Sequence, residues 1–190
     1  MKRILFASLA ALLFSSAASW AEGRVSLDSR DGLARWQLSP ADTSVSPSRL
    51  HASGFQAEGW IPAVVPGATF TSYVEAGLEP DPNFGDNAYK VDKEKYRRDY
   101  WYRTEIPTDS FPDGKHVWLC FEGINMKGDV WFNGSLLGTL DGFMDRGKFD
   151  VAPLLRHDGS ANVIAVLVHS PKDPVPNYAS PTYISSAGWD

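Results

Sequence analysis

The sequence predicts an all-β fold, a jelly-roll β-sandwich carrying one short helix near residues 69–76. Three observations predict it. Roughly seven or eight short strand-like runs recur, with turn signals about every ten residues. Asn133-Gly134 is the strongest hairpin signal in the chain, because a type I′ turn needs positive φ at both central positions. The run NVIAVLVH from Asn162 to His169 is apolar on both faces, as a central strand covered on both sides requires.

The elements follow in chain order. Lys2-Arg3 precedes an almost unbroken apolar stretch from Ile4 to Ala18. Ser19-Trp20-Ala21 then places small residues where a signal peptidase cuts, so residues 1–21 read as a cleaved secretion signal. The apolar stretch, about fifteen residues, is shorter than the ~20 that cross a bilayer. The mature chain is expected to begin near Glu22 and to be secreted or periplasmic. Leu33–Leu38 is a short candidate strand, and the Ser/Thr/Pro-rich stretch 42–49 reads as loop. Trp60–Val65 is extended, because Pro62 and Pro66 turn the residues before them away from helix. The helix comes next, with Phe70, Tyr73 and Val74 on one face and Gly77 as its stop.

Residues 79–86 (EPDPNFGD) form a turn-rich loop, and 91–98 a charged connector. Strands are expected at 100–106, which alternates and stops at Pro107, at 116–121 and at 128–132. Further strands are expected across the Asn133-Gly134 turn at 135–140, at 148–151 and at 162–169, with a helical turn at 153–155.

With the signal removed, about 170 residues remain, enough for one domain with its own core. The formal net charge of the full sequence is −5, and no basic patch is present, which argues against nucleic acid and anionic membrane surfaces as partners. Cys120 is the only cysteine, so no intramolecular disulfide can form. Its place inside the apolar run 117–121 reads as a buried, inert thiol.

No catalytic constellation emerges from the residues alone. Asp81, Asp86, Asp141 and Asp145 lie in turns, where Asp serves its own backbone. Glu122 and Asp129 flank strands and read as edge or turn residues. His51, His116, His157 and His169 lack metal-ligand spacing, so neither a metal site nor a cofactor is expected. No Gly-x-Ser-x-Gly elbow and no glycine-rich phosphate loop is present. Trp36, Trp60, Trp101, Trp118 and Trp131 fall in strand-like runs and read as core. Trp189 differs, because it lies in a polar stretch and precedes Asp190. Such a pair can stack on a pyranose face while the carboxylate accepts hydroxyl hydrogen bonds.

Taken together, several segments resemble the N-terminal sugar-binding domain of glycoside hydrolase family 2, in its β-mannosidase and exo-β-D-glucosaminidase branch. They are Trp60-Ile61-Pro62-Ala63, Val65-Pro66-Gly67, Glu79-Pro80-Asp81-Pro82 and Gly85 with Asn87. Tyr100-Trp101-Tyr102-Arg103, Phe121-Glu122-Gly123-Ile124-Asn125, Val130-Trp131-Phe132-Asn133-Gly134 and Leu137-Gly138 follow. Gly142-Phe143, Phe149-Asp150-Val151, Leu154-Leu155 and Asn162–Val166 complete the order. Ala68 departs from the Thr that the family places after Val-Pro-Gly. The resemblance implies a galactose-binding-domain-like jelly roll over residues 22–190. It also implies immunoglobulin-like and (β/α)8 domains downstream, with both catalytic glutamates in the barrel, which by itself takes ~250 residues. By resemblance, Asp190 contacts hydroxyls of the sugar being cleaved and Trp189 stands beside it. Asn87 sits in a loop that approaches the same pocket.

Three functions are therefore weighed. The first is the N-terminal domain of a secreted retaining β-glycosidase, ending before its catalytic domains and inactive alone. It would meet a β-linked glycoside substrate and the downstream domains of its own polypeptide. The second is a stand-alone carbohydrate-binding module. The third is a structural or adhesive β-sandwich.

Overall fold

The computed structural model describes residues 23–30, 33–41, 45, 47–111, 116–142, 144–170 and the backbone of 188–189. The expected signal (1–21), Asp190 and the Trp189 side chain lie outside them. The elements are β1 (Gln37–Pro40), α1 (Pro47–Leu50), β2 (Ile61–Pro62), β3 (Gly67–Ala68), α2 (Thr69–Glu75) and α3 (Asn87–Lys90). Then come β4 (Tyr100–Ile106), β5 (Trp118–Phe121), β6 (Lys127–Phe132), β7 (Ser135–Asp141), β8 (Gly147–Asp150), β9 (Asn162–His169) and β10 (Gly188–Trp189).

Six strands form one antiparallel sheet in the order β2-β1-β4-β9-β6-β7. The pairs β5-β8 and β3-β10 form two small antiparallel ribbons. The order is that of a β-sandwich, since β9 returns between β4 and β6 rather than beside its chain neighbour β8. β4 and β9 pair along their whole lengths, from Tyr100↔Val168 to Ile106↔Asn162. Period-2 alternation then sets Tyr100, Tyr102, Ile164, Val166, Val130 and Phe132 on one face, all fully buried. Leu119 and Phe121 of β5 join the same core. Truncating Phe132 to Ala would cost about 3–5 kcal/mol in lost contacts and cavity.

The Asn133-Gly134 turn joins β6 to β7 with φ of 49° and 88°, the expected type I′ geometry. Helix α2 buries Phe70 and Tyr73 against Tyr96, the rings meeting edge to face. At its C-terminus the amide of Gly77 (φ 71°) donates to the Val74 carbonyl and that of Leu78 to the Tyr73 carbonyl. That is a Schellman cap, which glycine enters without a Cβ penalty.

Three expectations need correction. The stretch 42–49 is not all loop, because α1 begins at Pro47, a ring whose fixed φ suits the first turn. The first strand is displaced from Leu33–Leu38 to Gln37–Pro40, although Ala34 and Trp36 are buried as the apolar pattern required. Cys120 and Trp118 are exposed rather than core. Strand β5 is half-covered, so Leu119 and Phe121 take the inner face and the alternate residues point outward.

Candidate functional site

The Trp189 backbone enters a two-residue bridge with β3, pairing Trp189 with Gly67 and Gly188 with Ala68. This brings the segment singled out in the sequence against the turn that leads into α2. The turn is held from both sides. Ser29 donates its amide to the Val65 carbonyl at 2.7 Å, and its hydroxyl accepts from the Val65 amide at 3.0 Å. Within α2, the buried Ser72 hydroxyl accepts from the Val64 amide at 2.9 Å. Thr69, the next residue after β3, meets the Tyr102 phenol at 2.8 Å in the core.

Asn87, the first residue of α3, is bonded locally. Its side-chain amide donates to the Asp81 carbonyl at 2.9 Å, while Asp81 Oδ1 accepts from the amide of Asn83. Phe84 and Tyr89 stand 76 % and 81 % exposed on either side of Asn87. Its amide is thus committed to shaping the loop that displays these aromatics.

Two polar centres escaped the sequence reading. Asp129 is neither an edge nor a turn residue: it lies within β6, half-buried, between Thr139 and His169. His169 at the end of β9 holds Asp129 by Nε2 at 3.0 Å and Asp99 by Nδ1 at 2.9 Å. Partners 40 and 70 residues away leave no short-range signal. On the same sheet, Arg103 is buried and donates to the carbonyls of Leu50 at 2.8 Å and Ala52 at 2.7 Å, while pairing with Glu105. It thereby clamps the segment after α1 onto the sheet. His51 lies in that segment, stacked on Trp131 at 5.0 Å, and burial, followed by the Arg103 charge, lowers its pKa.

The outer face of the β5-β8 ribbon carries Trp118, 49 % exposed, opposite Asp150 in register. The His116 ring lies nearly parallel to the indole, and the Lys148 ammonium sits 4.5 Å from the indole centroid. Asp150 accepts from the backbone of Ala152 and pairs with His116 at 2.6 Å; the His116 bond leads in holding its carboxyl below the usual range. Among the described residues, no group of three or more His, Cys, Asp or Glu is placed to hold a metal ion.

A family model described as the glycosyl hydrolase 2 galactose-binding domain-like domain matches residues 36–182, most of the chain and nearly every described element. The chain belongs to this family. This glycoside hydrolase 2 domain is 33% identical over 121 residues to a mannosylglycoprotein endo-β-mannosidase of Lilium longiflorum, covering 60% of the chain and 12% of that protein. It is 29% identical over 130 residues to an exo-β-D-glucosaminidase of Amycolatopsis orientalis, covering 67% of the chain and 12% of the relative. The crystal structure of an exo-chitosanase from Amycolatopsis orientalis superposes with a TM-score of 0.62 at 24% identity, over 75% of the chain and 16% of that structure. That likeness establishes the shared fold. The domain thus spans about 12% of the length of these two curated relatives.

Proposed function

We propose that this chain is the N-terminal domain of a secreted retaining β-glycosidase and forms one wall of its substrate pocket. Trp189 stacks on the sugar and Asp190 accepts its hydroxyls, with Asn87 in the loop approaching the same pocket. The acid/base and nucleophilic carboxylates come from a downstream (β/α)8 domain, about 5–5.5 Å apart as a retaining mechanism requires. The pairing of the Trp189 backbone with Gly67 carries this reading, because it sets that residue beside the turn that leads into α2. The small share of each relative that the chain spans supports a larger parent enzyme.

The test compares two proteins against aryl β-mannoside and β-glucosaminide. Residues 22–190 alone should show no turnover, and the complete polypeptide carrying this domain should hydrolyse at least one of them. Turnover by the isolated domain would overturn the division of labour. N-terminal sequencing of the exported protein should begin near Glu22.

The exposed Trp118 beside the fixed Asp150 favours a second reading, a carbohydrate-binding module acting by itself. Calorimetry against manno- and glucosamine-oligosaccharides separates the two. Saturable binding by residues 22–190 that Trp118→Ala abolishes would favour the module.

A further inference from the structure

We propose that residues 50–54 form a strap over the outer face of the six-stranded sheet, released in mild acid when His51 takes up a proton. The face beneath follows from strand alternation. Tyr100, Tyr102, Val130 and Phe132 point into the core, so Trp101 and Trp131, which lie between them in β4 and β6, point to the other side. The two indoles flank β9, Trp101 opposite Leu167 and Trp131 opposite Ala165. His51 closes over them, its ring stacked on Trp131 at 5.0 Å and edge-on to Trp101 at 6.0 Å.

Side chains, not a strand ladder, fasten the strap, since residues 50–54 pair with none of the described strands. Arg103 donates to the carbonyls of Leu50 and Ala52, and Arg156 to that of His51 at 3.2 Å. The Glu105 carboxylate accepts from the Gly54 amide at 2.9 Å while pairing with Arg103. The Arg103 guanidinium also lies 5.2 Å from the Phe55 ring centroid, just past the strap. A segment held at four points by side chains opens at a lower free energy than a strand paired along its length, as β9 is on both sides.

His51 makes the closed strap sensitive to acid. It is 7 % exposed, and neither of its ring nitrogens nor the Trp131 Nε1–H beneath it meets a protein partner. The cations around it are Arg49, two residues back on α1, Arg103 on β4 and Arg156 at its own carbonyl. The carboxylates are committed elsewhere, Glu105 to Arg103 and the Gly54 amide, and Asp129 on β6 to Thr139 and His169. An imidazolium in the closed strap would be buried beside Arg103 with no counter-ion of its own. Burial, followed by the Arg103 charge, accordingly lowers the His51 pKa. With the closed value depressed, closure is fully favoured above the free imidazole value of about 6.5 and weakens as pH falls toward the closed value. Opening gives the ring to water, where it takes the proton, and bares the two indoles.

Residue-resolved hydrogen exchange in the 190-residue chain tests the strap, with His51→Phe as the reference because it keeps a ring and removes the titration. Two protons report: the Ala52 amide, bonded to the Arg49 carbonyl within the segment, and the Trp131 indole N–H beneath it. Dividing each wild-type rate by the variant's rate at the same pH cancels the intrinsic pH dependence of exchange. Both ratios should rise about tenfold from pH 7 to pH 5. Protection of the Ala52 amide should also stay at least about tenfold below that of the Val166 amide in β9 at both pH values. Ratios that stay flat with pH overturn the proposal, since release would then not depend on His51. Equal protection at Ala52 and Val166 overturns it too, because the segment would then open only with the whole domain. If His51→Phe does not fold, His51→Gln serves as the reference and the same outcomes decide.

Discussion

His169 lies between two carboxylates, with Nδ1 2.9 Å from Asp99 and Nε2 3.0 Å from Asp129. A neutral imidazole carries one N–H, so only the imidazolium satisfies both contacts. Burial lowers the His169 pKa, but the bonds to Asp129 and Asp99 outweigh it and raise the value above the ordinary range. Burial likewise pushes Asp129 up, and its bonds from Thr139 and His169 bring it below the usual carboxylate range. Lys127, the register partner of His169, faces this group and is itself held by Asp141 at 2.8 Å.

The pH dependence follows from those directions. Stability from His169 is fully present below the unfolded imidazole value of about 6.5 and is lost as pH rises through its raised folded value. Stability from Asp129 is present above about 3.9 and is lost as pH falls through its depressed folded value. Urea midpoints should therefore decline on the alkaline side of neutrality in the wild type. In His169→Gln that decline should flatten, with a loss of about 1–2 kcal/mol near pH 6. An unchanged alkaline slope would show that His169 is not held as the imidazolium.

Arg103 should be among the costliest polar residues to remove. It is buried, and its fork meets two carbonyls and Glu105 at once. Arg103→Met should lose about 3 kcal/mol in urea unfolding, by freeing the segment after α1 and leaving the Glu105 carboxylate with the Gly54 amide but no cation. Arg103→Lys should recover less than half of that, because an ammonium cannot reproduce the planar fork.

Asn133 combines a turn with a bridge. Its amide donates to the Leu154 carbonyl and to Asn162, and its Oδ1 accepts from the Val163 amide. Asn133→Gly should keep the turn but lose these bonds, costing about 2 kcal/mol. Asn133→Ala should cost about 1 kcal/mol more, since alanine resists the positive φ. Equal thermal midpoints for the two variants would rule out the backbone contribution.

Cys120 and Trp118 point outward from β5. The thiol should react stoichiometrically with a maleimide in the folded protein, and Trp118→Phe should remove a component of fluorescence open to acrylamide quenching, Trp118 being the most exposed tryptophan among the described residues. A thiol that reacts only in denaturant would contradict the exposed placement.

What the sequence made legible follows from range. Strands β4 and β9 were found to the residue, because alternation and a doubly apolar run are local patterns bounded by local stops. The Asn133-Gly134 turn and α2 were legible for the same reason. The outward Cys120 and Trp118 were missed, because a short apolar run does not reveal which of its faces the rest of the chain covers. The clasp at His169 and the burial of Arg103 join residues about 40–70 positions apart, which no local pattern encodes. Of the candidate site, the backbone of Trp189 pairs with Gly67, and the Asn87 side chain bonds the Asp81 carbonyl close by in sequence.

That Asp190 meets the sugar is tested most directly by the kcat/KM of the complete polypeptide for an aryl β-glycoside it hydrolyses, before and after Asp190→Ala. A fall of about 100-fold or more is expected, with the thermal midpoint unchanged. A kcat/KM within twofold of wild type would contradict the assignment of this domain to the substrate pocket.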